Sequence, residues 1–124
     1  MKQEAFDQLF GISVLSQGEH ESILIVKVSR ESAVFEGHFP GNPILPGVTM
    51  VEVVRASLDL LFQVKFQLMS AQNIKFLSVL NPDEFPEVHL GMKYTEVEEG
   101  LKIEANLYFA ERIFFKMKGV YQPA

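Results

Sequence analysis

Residues 35–64 read FEGHFPGNPILPGVTMVEVVRASLDLLFQV, and two halves of that stretch obey different rules. The first, Phe35 to Val48, carries three of the chain's six prolines at a spacing of three: Pro40, Pro43 and Pro46. Proline fixes φ and removes a backbone donor, so this half is neither helix interior nor central strand; it is a stiff, shaped loop. The second half, 48–64, is apolar almost all round, with Glu52, Arg55 and Asp59 its only charges. A helix with so little polar face belongs inside a fold.

Working outward, residues 3–10 (QEAFDQLF) suit a short helix with Phe6, Leu9 and Phe10 on one face, stopped by Gly11. Residues 22–28 (SILIVKV) read as a strand after the polar turn QGEHE. Beyond the helix, Ala71 to Leu80 reads as a strand ending at NPDEFP. Val88 to Val97, Leu101 to Phe109 and Ile113 to Tyr121 follow as three more. The breaks EEG (98–100) and AER (110–112) are short enough for hairpins, which makes these three antiparallel neighbours. One buried helix among about five strands predicts an α+β fold, a sheet wrapped around a central helix.

At 124 residues the chain is expected to be one domain, 1–124, long enough to bury about two-thirds of its unfolded surface. Its 48% apolar content, with eleven Phe and no Trp, fits an ordinary globular core. The absence of Cys excludes disulfides, thiolate metal sites and a cysteine nucleophile, and fits a reducing compartment. The start, MKQEAFDQLFG, has no apolar signal core, and no run reaches the roughly 18 apolar residues of a membrane span. The expectation is a soluble, cytoplasmic protein that does not enter a membrane. Sixteen acids against eleven bases, net −5, give no electrostatic reason to expect nucleic acid.

Chemistry concentrates where loop meets helix. Pro46 and Gly47 stand at the helix start, whose first N–H groups have no intrahelical partners and offer donors to an incoming oxygen. A glycine there lets a ligand approach the backbone. Glu52 lies fourteen residues after His38. If the loop folds back, an imidazole, a carboxyl and an oxyanion donor share one space. The plainer readings are a structural loop histidine and a Glu52–Arg55 ion pair at i,i+3, worth tenths of a kcal/mol on a helix surface. PGNPILP also fits PxxP, but Phe35, Phe39, Ile44 and Leu45 around it argue against an exposed peptide ligand. His20 reads as solvated and His89 as structural. No HExxH, phosphate loop or GxSxG occurs, so neither metal nor cofactor is expected.

The run GHFPGNPILPGVTMVE, Gly37 to Glu52, closely resembles the signature of 3-hydroxyacyl-acyl-carrier-protein dehydratases of the hotdog fold. NIKFLSVLNPDE, Asn73 to Glu84, is similar to that family's strand after the helix, so the resemblance covers most of the chain. It implies that His38 takes the C2 proton of a (3R)-3-hydroxyacyl thioester and that Glu52 protonates the departing C3 hydroxyl. The Gly47 N–H would polarise the thioester carbonyl, as a helix start can. Phe39, Pro46 and Val48 would contact substrate, and Phe62, Phe66 and Phe76 would line an acyl tunnel between helix and sheet.

Glu52 must then start protonated, which burial among apolar residues favours; Arg55 is accordingly expected to point elsewhere. The family commonly has Gln four residues after the helical acid, where this chain has Ala56. Members that also isomerise usually carry Asp where Glu52 stands, which favours dehydration alone. The resemblance further implies an acyl carrier protein as the partner bearing the thioester, and a homo-oligomer, a dimer or multiple of dimers, whose sites borrow from both chains. Arg112, Lys116 and Lys118 share strand parity and offer either a docking face for an acidic carrier or a solvated face. The alternatives are a hotdog acyl thioesterase and a non-catalytic acyl-binding partner subunit.

Overall fold

The sixteen residues Gly47–Phe62 form helix α2, and the spacing of its buried side chains shows why. Thr49, Met50, Val53, Val54, Ser57, Leu58 and Leu61 recur at three- and four-residue intervals and are all buried, so one broad stripe faces the sheet. Pro46, extended at φ −63° and ψ 139°, leads into the first turn, and Gln63 ends the helix in the left-handed conformation with its N–H donating to the Asp59 carbonyl at 2.9 Å. The computed structural model describes residues 3–35, 41 and 43–124. His38 and Phe39, with Pro40, lie outside the described residues.

Six strands form one antiparallel sheet: β1 (Phe10–Gln17), β2 (Glu21–Val28), β3 (Phe66–Phe76), β4 (Glu87–Val97), β5 (Gly100–Phe109) and β6 (Arg112–Pro123), in the order β1-β2-β4-β5-β6-β3. A short helix α1 (Gln3–Leu9) precedes them. The β4–β5 and β5–β6 hairpins turn where expected, Val97 pairing with Gly100 and Phe109 with Arg112. Leu24, Val26, Val88, Leu90, Met92, Ile103, Ala105, Leu107, Phe115 and Met117 alternate along their strands and are buried with the apolar stripe of α2. This is the hotdog arrangement, a sheet wrapped around a central helix.

Two expectations are corrected. The first helix ends at Leu9, one residue earlier than expected, because Phe10 already opens a strand, β1, in which Gly11 lies opposite Lys27. The strand expected over 71–80 is displaced to Phe66–Phe76. Both are edge strands with little burial; in β3 only Phe66 is buried. Beyond Phe76 the ladder stops, and the Leu80 carbonyl instead accepts from the Leu45 N–H at 2.9 Å, tying the proline loop to the segment after β3.

Candidate active site

The start of α2 leaves its first N–H groups uncapped for two local reasons. Pro46 supplies no side-chain cap, and no acidic residue lies in the first turn to neutralise the helix end. Thr49 Oγ1 donates to the Pro46 carbonyl at 2.6 Å and so turns away from the N–H groups. The Phe76 ring lies against Gly47: a Cβ built there would stand 2.7 Å from the ring's Cε1. Phe76 is also tilted against Phe115, with centroids 5.5 Å apart. Val48, 67% exposed, and Phe76, 55% exposed, extend an apolar surface outward from the helix start, continued by Leu77 and Val79.

Of the tunnel-lining candidates, Phe76 therefore sits at the helix start. Phe62 sits at the other end of α2, about 22 Å along its axis by helix rise, in edge-on contact with Phe66 and Tyr94. The two aromatics mark opposite ends of the layer between helix and sheet.

Glu52 lies five residues into α2 with its side chain 39% exposed. The expectation that Arg55 points away is overturned. Arg55 Nε and Nη2 both donate to Glu52 Oε2, at 3.2 and 3.0 Å, and Nη1 donates to Asp59 Oδ2 at 2.7 Å. The reason is helical geometry: positions 52, 55 and 59 are three and four apart and share one stripe. Burial works against the charge of the guanidinium, but its hydrogen bonds and attraction to Glu52 and Asp59 outweigh this and raise its pKa. Nor is Glu52 immersed in apolar surroundings, since exposure and the guanidinium give it a polar setting.

Tyr121 of β6 was not singled out from the sequence, because only tertiary folding brings it near the acid. It is 1% exposed, and burial, reinforced by the negative charge of Glu52, pushes its phenol well above the ordinary tyrosine value, with Arg55 opposing. A raised folded-state pKa contributes stability that is whole below about pH 10 and is lost as pH rises from there through the raised value. Between pH 10 and 12, wild-type stability measured by urea unfolding is expected to fall more steeply than that of Tyr121→Phe, by up to about 1.4 kcal/mol per pH unit. At neutral pH the substitution is expected to cost less than about 1 kcal/mol, because the hydroxyl's hydrogen bond goes to the Met117 sulfur at 3.8 Å.

The remaining candidates stand apart from this place. His20 is exposed beside Glu19, and His89 stacks on Phe109 with centroids 6.3 Å apart. Of the proposed basic face, Arg112 lies 3.7 Å from Glu84 and Lys118 lies 3.3 Å from Glu104, while Lys116 is exposed. Among the described residues no group of three or more metal-ligating side chains converges, and no helix is long and apolar enough to cross a membrane.

The family model described as ApeI dehydratase, ApeI-like, matches residues 15–112. The chain belongs to the ApeI-like dehydratase family. Among curated proteins, the 3-hydroxyacyl-[acyl-carrier-protein] dehydratase FabZ of Caulobacter vibrioides is 31% identical over 103 residues, covering 82% of this chain and 60% of that protein. FabZ of Lactiplantibacillus plantarum is 35% identical over 80 residues, covering 58% and 54%. The chain thus spans little more than half the length of these relatives. Among solved structures, the dehydratase heterocomplex ApeI:P from Xenorhabdus doucetiae superposes with a TM-score of 0.68 at 20% identity, covering 90% of this chain and 98% of that one. A conserved protein from Pseudomonas aeruginosa gives 0.69 at 12% identity, covering 100% and 95%. These likenesses support the hotdog fold of the ApeI-like chain.

Proposed function

We propose that this ApeI-like chain removes water from a (3R)-3-hydroxyacyl group held as a thioester on acyl carrier protein, giving the trans-2-enoyl thioester. The observation that carries this reading is the pairing of an uncapped glycine helix start with an acid about 7.5 Å further along the same helix by its rise, beside an exposed apolar surface, in a chain of a dehydratase family.

In this mechanism the thioester carbonyl accepts a hydrogen bond from the Gly47 N–H, which stabilises the negative charge that builds on oxygen as the C2–H bond breaks. His38 takes the C2 proton. The electron pair forms the C2=C3 double bond as C3–O breaks, and Glu52 gives its proton to the departing hydroxyl, which leaves as water. His38 ends protonated and Glu52 ends as a carboxylate. In the reverse reaction, addition of water to the enoyl thioester, Glu52 begins as the carboxylate and takes the proton of the incoming water. Phe39, Pro46 and Val48 contact the thioester end of the substrate, and Phe76 and Phe62 flank the acyl chain.

A second copy of the chain completes the assembly. Among the described residues, edge strand β3 pairs on one side only, with β6, and exposes Leu68, Met69, Ile74 and Phe76, a surface suited to another β3 continuing the sheet. This would place the two helix starts close to the shared edge, where each site draws on both chains.

The deciding experiment supplies trans-2-enoyl thioesters of several chain lengths on carrier protein and follows products by mass spectrometry. The expected product is the thioester heavier by one water. Release of free acid would replace the reading with a thioesterase, and acyl-carrier binding without turnover would replace it with a binding subunit.

A further inference from the structure

The ion pair on α2 reaches further than two neighbouring charges on a helix surface. All three guanidinium nitrogens of Arg55 are engaged: Nε and Nη2 on Glu52 Oε2, and Nη1 on Asp59 Oδ2. Asp59 is itself fixed from outside the helix, because its Oδ1 accepts the backbone N–H of Phe66, the first residue of β3, at 2.8 Å. The chain of contacts therefore runs from the sheet backbone through Asp59 and Arg55 to one oxygen of Glu52. The Arg55 and Asp59 side chains are each 25% exposed, so solvent has partial access and the bridge is only partly screened. Arg55, Ala56 and Asp59 line one side of a cavity of about 490 Å³, whose other walls include Phe6, Phe10 and Lys65.

We propose that Arg55, braced by Asp59, is a positioning residue for Glu52: it pins Oε2 and so fixes the plane in which Oε1 is presented to the reacting C3 oxygen. The inference rests on the reading of Glu52 as the acid. A glutamate on a half-exposed helix face otherwise samples several rotamers, and only some of them aim a carboxyl oxygen at the substrate. A planar fork with several N–H groups can hold two carboxylates at once, which a lysine ammonium on a flexible stem does less well. The general cost of a misplaced catalytic group, reaching about 10²-fold for displacements of about 1 Å, sets the scale of the effect.

The test uses the full chain and hydration of a trans-2-enoyl thioester on carrier protein, with wild type and Glu52→Gln measured first. Arg55→Ala is expected to lower kcat by about 10- to 100-fold with KM changed by less than about twofold. Guanidinium ion, added well below denaturing concentration, is expected to restore part of that loss in Arg55→Ala and none in Glu52→Gln. Arg55→Lys, which keeps charge and stem, is expected to fall between wild type and Arg55→Ala and guards against a folding defect, as does a melting curve for each variant. Wild-type kcat in Arg55→Ala beside an inert Glu52→Gln would overturn the positioning role alone. So would a change confined to KM, or a rate loss matched by the unfolded fraction and not relieved by guanidinium. Full activity in Glu52→Gln, or no water addition by wild type, would overturn the acid reading and this inference with it.

Discussion

Glu52→Gln is expected to slow hydration of a trans-2-enoyl thioester by about 10²- to 10⁴-fold, the range that a positioned acid–base group contributes. The amide has nearly the shape of the carboxyl and can still accept from Arg55, but it cannot exchange a proton with the C3 oxygen. Stability should hardly change, because the Glu52–Arg55 pair lost is partly exposed and such pairs are worth about 0–1 kcal/mol; Arg55 also keeps Asp59. The comparison of kcat with the melting curve therefore separates chemistry from folding. His38→Ala is the companion variant, and loss of water addition in both with retained acyl-carrier binding is the expected pattern. A Glu52→Gln protein that hydrates at the wild-type rate would remove the residue from the mechanism.

The sequence made α2 legible because its apolar residues fill one broad stripe and its flanks carry Pro46 and Gly47, which set where a helix starts. The hairpins of β4, β5 and β6 were legible for a similar reason: alternating buried positions separated by turns too short for anything else. The edges were not. β1 and β3 bury little and pair on one side, so the alternation that marks a half-buried strand is diluted, and β3 was read too late in the chain. At the site, the sequence placed Gly47 and Glu52 on the helix, and the i,i+3 spacing offered the Arg55 pair as one of two readings. The choice between them depended on Asp59, whose tie to the Phe66 N–H is made only when the chain leaves α2 and enters β3. Tyr121 was invisible for a longer-range version of the same reason, since no local pattern reports which helix residue a strand side chain will lie beneath.

Phe114→Ala is expected to destabilise the fold by about 3–5 kcal/mol, measured as a fall in the urea midpoint with little change in slope. Phe114 and Phe115 are consecutive in β6 and both have no exposed surface. The β5–β6 register shifts here, Leu107 pairing with Phe115 and Tyr108 with Ile113, so Phe114 is the extra residue of a bulge and needs its own cover. Phe115 shares parity with Met117 in the core beneath α2 and lies tilted against Phe76, whereas the cover for Phe114 comes from Phe85, whose ring meets it edge-on with centroids 5.0 Å apart. Phe85 in turn meets Phe109 and carries the Arg112 guanidinium 5.4 Å above its ring. The Phe114 carbonyl accepts the Leu77 N–H at 2.9 Å, so this residue also holds the chain as it leaves β3. Truncation to alanine would leave a void between the connection 77–86 and β6 that the edge-on Phe85 ring, held also by Phe109, cannot collapse to fill. Because that connection also anchors the proline loop through Leu80 and Leu45, enzyme activity should fall at temperatures below global melting. Phe114→Leu, which refills most of the volume, should recover more than half of the lost stability. A Phe114→Ala protein as stable as wild type would mean that Phe85 closes onto β6 without cost and that the cluster holds nothing in place.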